Sequence, residues 1–128
     1  MPLKIHHIAL VVSNLARAEA FYSEIFGLSV TKRGVDAQGQ PRSVWLGLDG
    51  AILMLEKGDP GSGYRGDDEP GWHCIAFAME ENQRNDWKTK LAAASVPVER
   101  ETEYSIYFRD PERNRIALSH FPKSQKSE

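Results

Sequence analysis

The sequence predicts an α+β protein built from two copies of one β-α-β-β-β module. An apolar run at Lys4–Val12 is matched by a second run at Gly71–Met79, and each run precedes a polar helix-start signal and an amphipathic helix. An internal repeat of this kind constrains the fold of the whole chain. With 128 residues and 41% hydrophobic content, the chain can form one core and is too short for two independent domains.

A histidine opens the apolar run in each copy. His7 precedes Ile-Ala-Leu-Val-Val, and His73 precedes Cys-Ile-Ala-Phe-Ala. Both runs are apolar enough to predict strands that are buried on both faces. Cys74 is the only cysteine, so no internal disulfide can form, and its apolar surroundings indicate a small buried side chain rather than a nucleophile.

The rest of the first copy has clear boundaries. Apolar residues at helical spacing predict a helix over Leu15–Phe26, and Gly27 is a typical left-handed stop. Three strands are predicted at Leu28–Arg33, Arg42–Leu48 and Ala51–Glu56. Asp49-Gly50 predicts a tight hairpin turn between the last two.

The second copy repeats this plan. A helix over Asn82–Ala94 is expected to present Trp87, Leu91 and Ala94 to the core. Its strands are predicted at Pro97–Glu101, Ser105–Arg109 and Arg115–Phe121. Proline and asparagine in the segment Asp110–Asn114 favour a tight turn between the last two strands.

These elements predict one domain over residues 3–121, with module one at 3–56, a linker at 57–71 and module two at 72–121. The linker reads KGDPGSGYRGDDEPG, a composition that sustains neither helix nor strand. It is interpreted as a plain connection or as a mobile flap over a site. The polar tail at 122–128 is expected to fray.

Composition excludes several classes of function. The net charge of -2 and the pI near 6.1 give no electrostatic footprint for nucleic acid. No apolar stretch approaches the roughly 20 residues of a membrane-spanning helix, and no signal-peptide pattern is present. We therefore expect a soluble cytoplasmic protein.

Two further segments, YFRDPERNRIALSHF near the end and AFYSEIFGL in the first helix, add to the repeat. Together these features resemble the vicinal oxygen chelate superfamily, which includes glyoxalase I, methylmalonyl-CoA epimerase, fosfomycin-resistance proteins, extradiol dioxygenases and bleomycin-binding proteins. The resemblance covers Leu3 to Phe121. It implies paired modules that form a half-open barrel, and a homodimer.

The resemblance also implies a divalent metal ion, Zn, Ni, Co, Mn or Fe, held by side chains of the first and last strands of each module. Carried over onto this sequence, the ligands are His7, Glu56 and His73, while strand alternation turns His6 to the other face. The fourth ligand position falls on Ala117, which has no donor atom. A three-ligand site remains chemically workable.

Two functions follow as expectations. One is a metal-dependent lyase or isomerase acting on a small oxygenated substrate, with Glu56 as the catalytic base. The other is a non-enzymatic small-molecule-binding protein of the bleomycin-resistance type, with a degenerate metal site. In either case Trp45, Tyr107 and Arg109 are the candidate substrate-binding residues, since an arginine can grip a carboxylate or phosphate.

Fosfomycin-type thiol transfer fits less well, because members with that activity have threonine where this chain has Ala9. A purely structural remnant with no ligand is the third alternative.

Overall fold

Each half of the chain folds as a β-α-β-β-β unit around its own four-stranded sheet. The structure is a computed structural model that describes residues 2–59, 66 and 68–122. Residues 1–63 form unit 1 and residues 64–128 form unit 2. The predicted α+β class with two such modules is confirmed. No helix within the described part of the chain is long and apolar enough to cross a membrane.

Unit 1 has five elements, β1 (His7–Val12), α1 (Leu15–Phe26), β2 (Val30–Val35), β3 (Pro41–Leu48) and β4 (Ala51–Lys57). Its strand order is β1-β4-β3-β2, with β1 parallel to β4 and the other pairs antiparallel. The predicted bounds of α1 are confirmed at both ends. The strands differ from the prediction by up to three residues at their ends.

Local chemistry sets the ends of α1. The side chain of Asn14 accepts a hydrogen bond from the backbone N–H of Arg17 at 3.0 Å, which caps the first turn. Gly27 ends the helix in the left-handed region at φ 69°. The helix buries Leu15, Ala18, Phe21, Tyr22 and Ile25, and it packs on β3 and β4, where every second residue is buried.

Unit 2 contains β5 (Ile75–Ala78), one turn of 3₁₀ helix (Glu81–Gln83), α2 (Arg84–Ala93), β6 (Arg100–Glu101), β7 (Ser105–Arg109) and β8 (Arg115–Ser119). Its order, β5-β8-β7-β6, repeats that of unit 1. The strand predicted at Pro97–Glu101 shrinks to two residues. Pro97 has no N–H to donate to a ladder, which accounts for part of that shortening.

The second helix packs differently from the prediction. Leu91 is its one buried residue, while Trp87 is half-buried and Ala94 is exposed. Its first residue, Arg84, reaches across the unit, and its guanidinium donates to the carbonyls of Thr102 at 2.6 Å and Ser105 at 3.2 Å. Hydrogen bonds from Arg84 therefore help to hold α2 against its unit, whereas α1 is held by apolar packing.

The predicted turn between β7 and β8 is confirmed. The Asp110 carboxylate accepts hydrogen bonds from the backbone N–H groups of Glu112 at 2.9 Å and Asn114 at 2.8 Å. Arg113 takes the left-handed conformation at φ 70°. This turn aligns the ends of β7 and β8, where Arg109 and Arg115 face each other.

The prediction that β1 and β5 are buried on both faces is wrong. Exposure alternates along both strands, so that His7, Ala9 and Val11 are exposed in β1 while Ile8 and Leu10 are half-buried. Each sheet buries one apolar layer, and we call the opposite face of each sheet its open face. An alternating strand is what a sheet with one covered face requires.

Much of the linker prediction falls outside the described residues, at 60–65 and 67, as does the tail at 123–128. In the described part of the linker, the Glu69 carboxylate accepts a hydrogen bond from the Gly66 N–H at 2.7 Å.

Candidate functional site

The sheet registers align the two units residue by residue on their open faces. We define a row as the residues that lie side by side across the strands of one sheet. The middle row of unit 1 is Ala9, Met54, Trp45 and Lys32. The middle row of unit 2 is Ala76, Ala117, Tyr107 and Arg100.

Both middle rows place a cation over an aromatic ring. In unit 1 the Lys32 Nζ lies 4.6 Å from the centroid of the Trp45 ring. In unit 2 the Arg100 Cζ lies 4.8 Å from the centroid of the Tyr107 ring. Such contacts are favourable because the ring face carries partial negative charge. The predicted substrate-binding residues Trp45 and Tyr107 thus occupy equivalent places, each half-buried on an open face.

The first rows, at the start of β1 and of β5, differ between the units. In unit 1 this row is His7, Ile52 and Gly47. In unit 2, extending the register of β5 and β8 by one residue, it is Cys74, Arg115 and Arg109. By register, His7 therefore corresponds to Cys74 rather than to His73. His73 corresponds to His6.

Glu56, the predicted carboxylate ligand, lies in the last row of unit 1. In unit 1 the last row is Val11, Glu56 and Ser43, and in unit 2 it is Ala78, Ser119 and Ser105. Glu56 corresponds to Ser119, whose hydroxyl is 2.9 Å from that of Ser105. The residue of unit 1 that corresponds to Ala117 is Met54, which carries no oxygen donor.

His7 and Glu56 lie on the same open face, but at its two ends. His7 pairs with Ile52, and Glu56 follows four residues later along β4, opposite Val11. At about 3.3 Å per residue, that separation is roughly 13 Å along the strands. Ligands of one ion sit about 2 Å from it, so both side chains would have to extend toward each other to share a metal.

The rings of His6 and His7 meet, with their Nδ1 atoms 2.9 Å apart. The expectation that His6 turns away from His7 is therefore wrong for its ring. Both residues are exposed, so no packing holds their rings on opposite faces of the strand.

His73 is engaged by an arginine. The Arg115 Nη1 lies 2.7 Å from the His73 Nδ1 and 3.2 Å from its Nε2. The guanidinium donates to the ring, which occupies the lone pair that a metal would need, and its positive charge opposes a cation nearby. This contact suits a histidine that holds the Arg115 guanidinium in place better than one that binds a metal ion.

Among residues 2–59, 66 and 68–122, no three His, Cys, Asp or Glu side chains form a group that could hold a metal ion. Within each unit taken by itself, the described donor set does not fit a divalent metal site, because Ala117 has no donor atom and His73 is bonded to Arg115. The ligand assignment of His7, Glu56 and His73 stays a prediction.

The comparisons with known proteins agree with the fold. The sequence profile described as Glyoxalase/Bleomycin resistance protein/Dioxygenase superfamily matches residues 4–118. The chain belongs to this superfamily. It is 28% identical over 119 residues to the metallothiol transferase FosB of Lysinibacillus sphaericus, covering 88% of this chain and 78% of FosB. With FosB of Staphylococcus epidermidis the identity is 29% over 122 residues, covering 89% and 81%.

Solved structures of the superfamily share the whole architecture. Lactoylglutathione lyase from Agrobacterium tumefaciens has a TM-score of 0.69 at 25% identity, with coverage of 94% of this chain and 95% of the lyase. The fosfomycin resistance protein FosX from Listeria monocytogenes has a TM-score of 0.76 at 22% identity, with coverage of 94% and 92%. A mutant of that FosX was crystallised with Mn(II) and 1S,2S-dihydroxypropylphosphonic acid.

The profile match confirms the predicted superfamily. The relatives include metal-dependent enzymes, but a lyase or isomerase activity of this chain stays a prediction. The argument from Ala9 against thiol transfer also stays a prediction, although FosB proteins are among the relatives.

Sequence reasoning missed Lys32 and Arg100. One signal could have found the equivalence of the units. If the copies are aligned on the shared Ile-Ala dipeptide, at Ile8 and at Ile75, rather than on the nearest histidine, Cys74 falls on His7. The cation over each ring has no such signal, because it depends on which residues of β2 and β6 pair with the aromatic strand.

Proposed function

We propose that this chain is a small-molecule-binding member of the superfamily that takes a planar organic anion on its open faces, without a resident metal. The repeated pairing of a cation with an aromatic ring in the two middle rows carries this proposal. It is the binding alternative of the sequence analysis, and it uses Trp45 and Tyr107 in the roles predicted for them.

The chemistry of the middle rows suits such a ligand. A half-buried indole or phenol ring offers a flat apolar surface on which a planar molecule can stack. Ala9 and Ala76 are small, exposed side chains at the ends of the middle rows, while Ala117, next to Tyr107, is buried. Lys32 and Arg100 supply positive charge at the ring, which attracts an anion and would repel a cation.

A cation beside a ring is not by itself a binding site. Lys90 lies 5.3 Å from the centroid of the Trp87 ring, and both residues belong to α2 and not to a sheet. The middle rows differ from this pair because the same arrangement recurs at corresponding positions of two units whose other open-face residues have diverged. Trp87 therefore provides a matched control.

The test is a thermal-unfolding screen of the full chain against benzoate, 2-naphthoate, their neutral amides and acetate. We expect the aromatic acids to raise Tm and the amides and acetate to have less effect, because both the ring and the charge contribute. Trp45→Ala and Tyr107→Ala should each reduce the Tm shift, and Trp87→Ala should leave it unchanged.

No Tm shift with any aromatic acid would refute the proposal, and so would a shift that survives both Trp45→Ala and Tyr107→Ala. Intrinsic fluorescence gives a second readout, since Trp45 emission should change on binding in the wild type and in Trp87→Ala alike.

A metal-dependent lyase or isomerase is the second candidate. Two observations favour it: the relatives include metal-dependent enzymes, and His7 and Glu56 lie on one open face. In this reading His7, Glu56 and His73 hold the ion, which would stabilise negative charge on adjacent substrate oxygens. Glu56 would move the substrate proton as a single base.

Metal content separates the two candidates. Protein purified without chelator is analysed by elemental analysis as wild type, His7→Ala, Glu56→Gln and His73→Ala, with the exposed helix carboxylate variant Glu24→Gln as control. A stoichiometric transition metal that is lost in all three ligand variants and kept in Glu24→Gln would establish the enzyme reading. Metal-free protein with an unchanged Tm on adding Zn²⁺ or Mn²⁺ would rule it out.

The resemblance also predicts a homodimer, and we keep it as part of the proposal. Leu3, Ile5 and Val11 are large apolar side chains with 97%, 62% and 71% exposure, a pattern that favours association. Sedimentation equilibrium of the full chain checks this, with a mass near 14.4 kDa contradicting it.

A further inference from the structure

The geometry points to a specificity-determining role for Glu56, whose carboxylate binds a protonated amine at the end of the ligand that lies away from Lys32. The ligand class is then an aromatic acid with an amine at the opposite end of its ring. This inference rests on the proposed function, because it adds a second polar contact to the planar anion held beside Trp45. The role needs neither a metal ion nor a proton transfer.

Trp45 lies between two groups of opposite charge on the open face of unit 1. Lys32 of β2 is its direct cross-strand neighbour. On the other side, Glu56 of β4 is opposite Ser43, two residues before Trp45, so Glu56 and Trp45 are diagonal neighbours. Diagonal neighbours on one face of a sheet are about 7–8 Å apart, which long side chains can span. A molecule held beside the Trp45 ring can therefore reach both charges.

Neither charge is neutralised by an ion pair. Among the residues that the structure describes, Glu56 and Lys32 form no salt bridge, either with each other or with a third group. Glu56 is half-buried, and leaving such a carboxylate without a partner costs stability. Groups kept at a cost to stability are typical of binding sites. An incoming ammonium would supply the partner that Glu56 lacks.

A hydroxyl group lies beside this carboxylate. Ser43 is half-buried, and its Oγ lies against Gly34 of β2, so closely that a Cβ at Gly34 would clash with it. Within the described part of the chain, no hydrogen bond engages the Ser43 hydroxyl. An ammonium group carries three donors and needs several acceptors. Glu56 and Ser43 offer those acceptors in one row.

The corresponding groups of unit 2 are already bonded to each other. Ser119 occupies the place of Glu56, opposite Ser105. Their hydroxyls lie 2.9 Å apart, and the Ser119 hydroxyl also accepts from the Phe121 N–H at 3.3 Å. Neither serine carries a charge. We therefore expect amine recognition in unit 1 alone, although both units carry a ring with its cation.

The experiment measures the affinity of the full chain for two matched ligands by isothermal titration calorimetry. 4-(Aminomethyl)benzoate carries the anion and the amine at opposite ends of one ring, and 4-methylbenzoate lacks the amine. We expect the amine to raise the affinity of the wild type roughly ten-fold, the effect of one hydrogen bond between charged groups. Glu56→Gln should lose this gain and keep the affinity for 4-methylbenzoate, because only the amine contacts Glu56.

Further variants locate the contact. Ser43→Ala should reduce the preference for the amine, and Glu24→Gln, which removes an exposed helix carboxylate of the same unit, should leave it unchanged. If circular dichroism shows that Glu56→Gln is unfolded, Glu56→Asp replaces it. The shorter carboxylate should weaken the amine preference without changing the affinity for 4-methylbenzoate. Titrations with and without EDTA separate Glu56 from a metal ion as the group that holds the amine.

The inference is overturned if both ligands bind the wild type equally, if the amine preference survives in Glu56→Gln, or if EDTA abolishes it. Equal binding that is lost in Trp45→Ala would leave the proposed function standing. Benzylamine tests the reverse case, since binding of benzylamine that is lost in Glu56→Gln supports the amine site even if no aromatic acid raises Tm. Failure of all three ligands to bind overturns both proposals.

Discussion

Unit 1 and unit 2 have the same order of elements and the same ladder register, yet they hold their helices by different means. Helix α1 buries five side chains, whereas α2 buries only Leu91. In unit 2 the guanidinium of Arg84 makes up part of the difference, with bonds to three backbone carbonyls and a contact of 3.1 Å to the His120 Nε2. Apolar burial in one copy is partly replaced by a polar network in the other.

The two helices also end differently. Gly27 closes α1 in the left-handed conformation, at no steric cost. The corresponding residue after α2 is Ser95, at φ 60°. The Val96 N–H bonds to the Leu91 carbonyl at 2.9 Å, so the same type of helix end is formed with a residue that strains to adopt it.

The open faces diverge most in the first row. Unit 1 has a histidine beside two uncharged residues, and unit 2 has a cysteine beside two arginines. The middle rows stay alike in chemistry. The two units therefore share a ring with its cation in the middle row and differ in the row beside it.

The largest expected effect concerns Arg84. Arg84→Met should destabilise the protein by about 3 kcal/mol, because the part-buried Ser105 carbonyl and His120 ring lose a charged donor at the same time as two exposed carbonyls. In unit 1, Arg33→Met should cost less than about 1 kcal/mol, since its bidentate pair with Glu19, 2.7 Å at both contacts, is exposed. Urea unfolding of both variants measures the difference.

Equal losses of unfolding free energy in Arg84→Met and Arg33→Met would contradict this account of unit 2. Amide hydrogen exchange at Leu91 locates the effect, since its protection should fall in Arg84→Met and stay unchanged in Arg33→Met.

An intermediate effect is expected at the two helix ends. Ser95→Gly should stabilise the protein by about 1 kcal/mol, and Gly27→Ala should destabilise it by a similar amount, since only glycine adopts the left-handed conformation freely. A Cβ at Gly27 would meet no atom within 4 Å, so the cost there is conformational and not steric. Thermal unfolding of the two variants should show Tm shifts of opposite sign. Shifts of the same sign would contradict the statement that both helix ends favour glycine.

The smallest effect is the acid dependence of stability. A hydrogen bond from Arg33 lowers the pKa of Glu19 in unit 1, and in unit 2 hydrogen bonds from Lys88 and then Arg84 lower the pKa of Glu101. Because both pKa values fall on folding, both carboxylates stabilise the fold above their ordinary value of 4.5. That contribution is lost as the pH falls through the lowered values.

Carboxyl ¹³C titrations check each unit separately. Arg33→Gln should raise the pKa of Glu19 toward its ordinary value and leave the pKa of Glu101 unchanged. Lys88→Gln should raise the pKa of Glu101 and leave the pKa of Glu19 unchanged. A shift of both carboxyls in either single variant would show that the two networks are not separate.

Much of the fold could be predicted because it depends on local patterns. The bounds of α1 and β7, the stop at Gly27 and the turn at Asp110–Asn114 each follow from spacing, capping and turn chemistry that neighbouring residues impose. The candidate site was predicted less well. Trp45 and Tyr107 were expected on the ligand side, but alternation says only that half of the strand residues lie there.

The repeat, the fold class and the family follow from the sequence alone, because apolar periodicity and turn residues act over a few positions at a time. The pairing of strands across the sheets follows only from the tertiary structure, since a ladder joins residues tens of positions apart. It is this pairing that places Arg109 against Arg115, separates His7 from Glu56 by four residues along the strands, and matches His7 with Cys74. A shift of one residue in register turns each side chain to the other face, which is why a histidine near the start of both strands was not sufficient to define equivalent positions.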